Sequence, residues 1–141
     1  MNEHHPDIRI AVIVDPSLGL GFLANTVGVI AVGLGAVMPA LGNTTLIDAR
    51  RRVVKNSADR PLPVLQASAE RIGEVLLKAL PAPDGAAIVP FPAFARALHS
   101  FEEYRARFPQ CDLAAERIDG LGLAGPAKWI RSLTGSLKLL R

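Results

Sequence analysis

The stretch RIAVIVDP, residues 9–16, decides the fold of this chain. Six residues form a near-continuous apolar run that stops at an aspartate and a proline. This pattern predicts a strand buried on both faces, which is typical of the central strands of α/β sheets. The next feature follows directly, because residues 16–47 contain no charged residue. Together the two features predict a central strand that leads into a buried crossover helix.

The uncharged run is long enough to span a membrane, for which about 20 apolar residues suffice. We nevertheless predict no membrane span, because the run contains six glycines, two prolines and Asn25 and has no cationic residue close to its N-terminal side. The predicted helix extends from about Gly21 to Val37 and ends near Pro39.

One side of this helix is predicted to approach the sheet closely, because small residues recur there at helical spacing: Gly21, Asn25, Gly28, Val32 and Gly35. Its other sides are also apolar, and a helix that is apolar all round is expected to be buried all round. In one small domain this requires a second layer or a partner chain, so we predict a homodimer that covers the helix.

The remaining patterns predict a short hairpin over 44–55, a strand over 63–67, a helix capped by Ser68 and a strand over 86–89. A capping box at Ser100 and Glu103 predicts another helix. Further elements are predicted as a strand over 117–123, a last helix from Gly125-Pro126 and an edge strand over 136–140. This order predicts an α/β three-layer sandwich with a mixed central sheet and helices on both faces.

Length and composition limit the remaining choices. A chain of 141 residues is predicted to form a single domain, residues 1–141, in which residues 1–7 are a loose tail. Its one cysteine, Cys111, excludes an internal disulfide and leaves too few ligands for a Cys/His zinc site. We predict no metal and no cofactor. The acidic N-terminus does not resemble a signal peptide, so the predicted location is cytoplasmic.

Positive charge is concentrated in two segments. Residues 48–60 hold five basic and two acidic residues, and residues 117–141 hold five basic residues and one acidic residue. If the segments meet in space they could form one surface for an anion or for RNA. The alternative is an ordinary solvated surface.

No catalytic constellation is recognisable. Gly19-x-Gly21 loosely fits a dinucleotide-binding turn, but four residues separate the first glycine from the preceding strand, and the chain is too short for two nucleotide-binding halves. Glu102 and Glu103 are adjacent and point in different directions on a helix. The start of the last helix, with Lys128 near it, could attract an anion.

The C-terminal run is the most specific feature, with LGL at 121–123, GPA at 125–127 and LTGSLKLL at 133–140. It resembles the end of the type-2 peptidyl-tRNA hydrolases. Residues 8–141 are more similar still to an uncharacterised family of small bacterial proteins that shares this fold. The resemblance implies the type-2 peptidyl-tRNA hydrolase fold.

The resemblance does not carry the hydrolase's catalytic residues. Positions at which the hydrolases have lysines, a histidine or acidic residues hold other residues here: Leu20, Phe22, Val29, Lys128 and Arg131. An Asp-Ala-Gly-x-Thr stretch of the hydrolases falls near residues 90–95, which contain neither Asp nor Thr. Ester hydrolysis needs a group that activates water and donors for the oxyanion. We therefore predict no catalytic residues.

The predicted function is that of a non-catalytic relative that binds an anionic or small-molecule ligand near the glycine loop and the last helix. The candidate ligand-binding residues are Gly19, Gly21, Asn25, Lys128, Arg131 and Thr134. For Asn25 the alternative is a buried amide satisfied by neighbouring backbone. The alternative functions are peptidyl-tRNA hydrolysis by other residues and RNA binding through the two basic segments.

Overall fold

The computed structural model describes residues 7–141 of the chain. In chain order the strands and helices are β1 (Ile8–Val14), α1 (Leu20–Val37), β2 (Thr45–Ile47), β3 (Val53–Lys55), β4 (Val64–Gln66), α2 (Ala69–Ala79), β5 (Ala87–Pro92), α3 (Phe101–Arg107), β6 (Ile118–Pro126), α4 (Ala127–Thr134) and β7 (Lys138–Leu139). Of the predicted tail, residues 1–6 lie outside the described residues. The carbonyl of Asp7 accepts a hydrogen bond from the Ala127 N–H at 3.0 Å.

Five strands form one mixed sheet in the order β5-β6-β1-β4-β7, which confirms the predicted sheet type. The strand pair β1–β4 is parallel, and the other neighbouring pairs are antiparallel. β1 is central, as the buried run predicts. β5 is an edge strand in which Pro90 and Pro92 lack the N–H groups that would recruit another strand.

Helices cover both faces of the sheet, as predicted. The core under α1 contains Ile10 and Val12 of β1, and the core under α2 and α4 contains Ala11 and Ile13. Successive residues of a strand point to opposite faces, so the two sets define the two layers. α2 begins at the predicted cap, where the Ser68 side chain accepts a hydrogen bond from the Arg71 N–H.

Two glycines of β6 form a notch in which α1 lies. A Cβ at Gly120 would stand 2.7 Å from Thr26 Cγ2, and a Cβ at Gly122 would overlap Ile30 Cγ2 and lie 3.1 Å from Leu34. These three α1 residues are the ones that the helix buries. In this contact the small residues therefore belong to strand β6, and the larger residues belong to α1.

The prediction that α1 is buried all round is wrong for the single chain, because only the sheet side of the helix meets other residues. The stripe predicted to face the sheet lies about 180° around the helix from Thr26, Ile30 and Leu34 and points away from it. A Cβ built at Gly21, Gly28 or Gly35 meets no atom within 4 Å. Asn25 is exposed, so the alternative of a buried amide does not hold either.

α1 is long and apolar enough to cross a membrane by length and composition, although its sheet side packs in the core. A cytoplasmic location stays a prediction. Each glycine within the helix costs roughly 0.5–1 kcal/mol relative to alanine. Gly21, Gly28 and Gly35 therefore lower the stability of the helix, and no contact that needs a glycine offsets this loss among residues 7–141.

The β2–β3 hairpin forms a separate two-stranded sheet, and all six of its strand residues are exposed. Leu46 pairs with Val54, and Ile47 pairs with Val53. Because strand side chains alternate, the hairpin presents an apolar pair on each of its faces. An isolated two-stranded hairpin is marginally stable in water.

Substituting Gly122 by alanine is expected to destabilise the fold by about 1–3 kcal/mol, because the new methyl group overlaps Ile30 in a closed core. Urea unfolding, followed by the fluorescence of Trp129, measures this change. Gly73→Ala in α2 is the matched control, since its Cβ meets nothing within 4 Å. We expect the control to stabilise the protein slightly; equal stability of both variants would contradict the notch.

Candidate functional site

Two buried carboxylates lie where β1 ends and β6 begins. Asp15 and Asp119 are both almost fully buried. Arg117 connects them, with Nη2 at 2.7 Å from Asp15 Oδ2 and Nε at 3.9 Å from Asp119 Oδ1. Arg96 reaches Asp119 from the other side, with Nε 2.6 Å from Oδ2. The four residues form an ion-pair network of balanced charge.

A bulge places Asp119 in this network. In the β5–β6 pair, Phe91 lies opposite Gly120 and Pro92 lies opposite Ile118, so Asp119 is the extra residue. Bulges redirect side chains in this way next to functional sites. The contact of Arg96 Nε is an ion pair without hydrogen-bond geometry, and Asp119 Oδ2 accepts no hydrogen bond from any of the described residues.

Asp15 also shapes the loop that leads to α1. Its Oδ1 accepts hydrogen bonds from the Ser17 N–H at 2.9 Å and the Ser17 hydroxyl at 2.7 Å. Burial acts to raise the pKa of Asp15, but the Ser17 hydrogen bonds and the charge of Arg117 outweigh it, so the pKa lies below 3.8. Asp15 is therefore ionised at neutral pH.

An apolar groove of about 520 Å³ lies beside this network. α1 contributes Val29 and Ile30, and β5 contributes Val89, Pro90 and Phe91. The opposite wall consists of residues from 95 to 104, including the polar groups of His99, Ser100 and Tyr104. A second hollow of about 460 Å³ shares Val89, Pro90, Phe101 and Tyr104 with it and reaches Arg105.

The outer wall of the groove is loosely attached. No residue from 93 to 111 is buried. Within the wall, Phe94 stacks on Tyr104 and Tyr104 contacts Phe108, at ring-centroid distances of 5.8 and 5.6 Å. The Arg107 guanidinium lies 4.7 Å from the Phe94 ring centroid. The segment contributes no residue to either core, and the ion pair of Arg96 with Asp119 connects it to the sheet.

Tyr104 offers a hydrogen-bond donor at the groove. Burial raises its pKa above 10.0, and the nearby Cys111 adds to this rise. The phenol therefore keeps its proton at neutral pH. A half-buried phenol at the edge of an apolar groove can orient a ligand that carries an acceptor oxygen.

The six candidate residues do not lie in one place. Gly19 and Gly21 follow the C-terminal end of β1, and Asn25 lies on the outer side of α1. The other three belong to α4, which packs on the opposite face of the sheet: Lys128, Arg131 and Thr134. The Thr134 hydroxyl donates to the Ile130 carbonyl at 2.8 Å. The expectation of one site between the glycine loop and the last helix is wrong in its geometry, because the sheet lies between them.

Sequence reasoning missed the groove, Arg96 and Asp119. The apolar residues of β5 and the aromatic residues of 94–108 can be read from the sequence. That they lie together around one groove depends on the tertiary structure. Among the described residues no group of three or more His, Cys, Asp or Glu side chains is arranged to hold a metal ion.

The fold and this site define an α/β domain with a mixed five-stranded sheet, an ion-pair network at the end of β1 and an adjacent apolar groove. Residues 8–141 match the family described as protein of unknown function (DUF2000), and the chain belongs to that family. No curated protein matches it.

A solved structure shows the same fold. The protein of unknown function Atu0240 from Agrobacterium tumefaciens strain C58 is similar with a TM-score of 0.85 and 19% sequence identity. The similarity covers 94% of this chain and 97% of that chain.

Asp15→Asn is expected to lower stability by about 1–3 kcal/mol at pH 7, where the native carboxylate is paired with the partly exposed Arg117. Because the folded pKa is depressed, this stabilisation is present above the unfolded pKa of about 3.9 and is lost as the pH falls through the folded value.

Urea midpoints of the wild type and the variant measure this effect. The difference between them should shrink as the pH falls below about 4, through the depressed folded pKa of Asp15. Arg52→Gln, in an exposed ion pair with Asp48, is the control and should leave the urea midpoint almost unchanged, because solvent screens an exposed pair. A deficit of Asp15→Asn that is independent of pH would contradict the network.

Proposed function

We propose that this protein is a non-catalytic relative of the type-2 peptidyl-tRNA hydrolases that binds a small molecule in the groove between α1, β5 and the segment 95–104. The apolar groove of about 520 Å³ beside a polar rim carries this proposal. Its volume is within the range of small-molecule sites, roughly 300–1,000 Å³.

The lining indicates the class of ligand. Aliphatic and aromatic side chains dominate the floor, which favours an apolar or aromatic body. Tyr104 and His99 lie at one wall, and Arg105 lines the adjoining hollow. A ligand with an apolar body and one anionic or acceptor group fits both features. Such an anionic small molecule agrees with the ligand class expected from the sequence.

The resemblance to the hydrolases supports the same proposal. The position at which those enzymes have a histidine holds Val29, which lines the groove. A lysine position holds Phe22, whose ring is covered by the Arg96 guanidinium at 5.6 Å. Two positions that would act on an ester thus hold a valine in the groove wall and a phenylalanine against a guanidinium. The replacement changes the surface from a reactive one to a binding one.

Two alternatives have weaker support. Hydrolysis by other residues would have to rely on His99 at the groove wall, because Asp15 and Asp119 are each in contact with an arginine. RNA binding would draw on the two basic segments, in which Arg52, Arg60 and Arg117 are engaged with carboxylates and the other seven basic residues form no ion pair among residues 7–141. RNA binding would weaken steeply as salt rises.

The binding proposal is tested with 1-anilinonaphthalene-8-sulfonate, a fluorescent apolar anion. We expect one saturable site per chain. Leu98→Asp should weaken its affinity at least tenfold by placing a charge in the groove, and Tyr104→Phe should weaken it several-fold by removing the donor.

Leu77→Asp, at an exposed position of α2 on the opposite face of the sheet from α1, is the control for nonspecific apolar binding. It should leave the affinity unchanged. Probe binding that responds equally to Leu98→Asp and Leu77→Asp would contradict the proposal. Release of the peptide from a peptidyl-tRNA by the wild-type chain would favour the hydrolase alternative instead.

A further inference from the structure

We infer that the groove and the second hollow form one continuous slot for an unbranched apolar chain that ends in an oxyanion, such as a fatty acid. This edge slot is lined by α1, β5 and α3 and by the residues on either side of α3, and it extends from Val29 to Arg105. The inference rests on the proposed function, since it names the class of molecule that the groove binds.

The two hollows are continuous because the same four residues line both. Val89 and Pro90 of β5 form one side, and Phe101 and Tyr104 of α3 form the other. The hollows measure about 520 and 460 Å³. Each is large enough for a small ligand, so an occupant that contacts both is longer than one that fills the groove alone.

The edge slot bends around the edge of the sheet. β5 is an edge strand, and its successive side chains point to opposite faces. Val89 packs with the core under α1, whereas Ile88, which lines only the second hollow, packs with the core under α2 and α4. An occupant of both hollows therefore follows the strand edge from one face towards the other. A flexible chain can do this, whereas a rigid ring system fills one hollow.

The lining favours hydrocarbon along the whole slot. The second hollow adds Ile88, Phe108 and Pro109 to the apolar residues of the groove. Phe101 is 71% exposed, so its ring can cover a bound chain where the hollows meet. Each methylene group that such a surface removes from water strengthens binding by up to about fourfold.

Arg105 supplies a partner for an anionic head group at the end of the edge slot. Its side chain is exposed and forms no ion pair among residues 7–141. Glu102 and Glu103 of the same helix line neither hollow. A guanidinium presents two parallel N–H groups to the two oxygens of a carboxylate. The charge at this end of the slot is therefore complementary to an oxyanion.

An extended peptide suits the edge slot less well. A peptide that adds to a sheet edge is held by main-chain hydrogen bonds to the edge strand. Pro90 lies where the two hollows meet and Pro92 follows it, and neither has an N–H to donate. A hydrocarbon chain needs no such partner.

Chain length tests the continuity of the edge slot. We expect octanoate, decanoate and dodecanoate to displace 1-anilinonaphthalene-8-sulfonate with affinities that rise roughly tenfold for each two methylene groups. Phe101→Ala, which removes a ring shared by the hollows, should reduce this rise to about threefold or less. Leu77→Ala, at an exposed apolar position of α2, is the matched control and should leave the rise unchanged.

The head group is tested by comparing decanoate with decanol. Arg105→Gln should weaken decanoate binding about fivefold and leave decanol binding unchanged, because only the carboxylate uses the guanidinium. Lys138→Gln removes an exposed charge from β7, at the opposite edge of the sheet, and should change neither affinity. Equal losses for decanoate and decanol in Arg105→Gln would contradict the role of Arg105.

Failure of this inference is distinguishable from failure of the proposed function. Probe binding that is sensitive to Leu98→Asp, together with equal affinities for octanoate and dodecanoate, would overturn the inference and leave the groove as a site for a compact ligand. A capped hexapeptide of alternating Val and Thr that binds more tightly than dodecanoate would assign the slot to a peptide and would also overturn it. Absence of saturable probe binding would contradict both.

Discussion

The seating of α1 against Gly120 and Gly122 is the contact on which the rest of the structure depends. The missing side chains let Thr26, Ile30 and Leu34 enter the sheet surface, so the rotation of the helix about its own axis is fixed. Once that rotation is fixed, Val29 lines the groove and Phe22 meets Arg96. The same rotation turns Gly21, Gly28 and Gly35 outward.

A second constraint acts at the end of β6 that carries Asp119. Two carboxylates can be buried there because an arginine contacts each of them. The resulting network joins the end of β1, the start of β6 and the segment that contains Arg96. That segment also supplies the outer wall of the groove. The ion-pair network and the apolar groove are therefore built from neighbouring residues. Movement of the outer wall would displace Arg96.

Local patterns in the sequence were sufficient for the elements and the sheet type. Strand β1, the Ser68 cap and the hairpin were predicted correctly, because each depends on residues that are close together in the sequence. The orientation of α1 could not be predicted in this way. A helix that is apolar on every side has no directional signal of its own, and its buried face is chosen by glycines about ninety residues later in the chain. The bulge at Asp119 and the groove also arise only when distant segments meet, and for the same reason the α4 residues proposed for the glycine-loop site lie behind the sheet.

The central claim is that α1 lies in the β6 notch with this rotation. The most direct measurement is the pattern of NMR nuclear Overhauser effects from the Hα protons of Gly120 and Gly122. The account predicts cross-peaks to the methyl groups of Thr26 and Ile30 and none to the two methyl groups of Val32 within the same chain. Cross-peaks to Val32, or none to any methyl group of α1 in the folded protein, would contradict it.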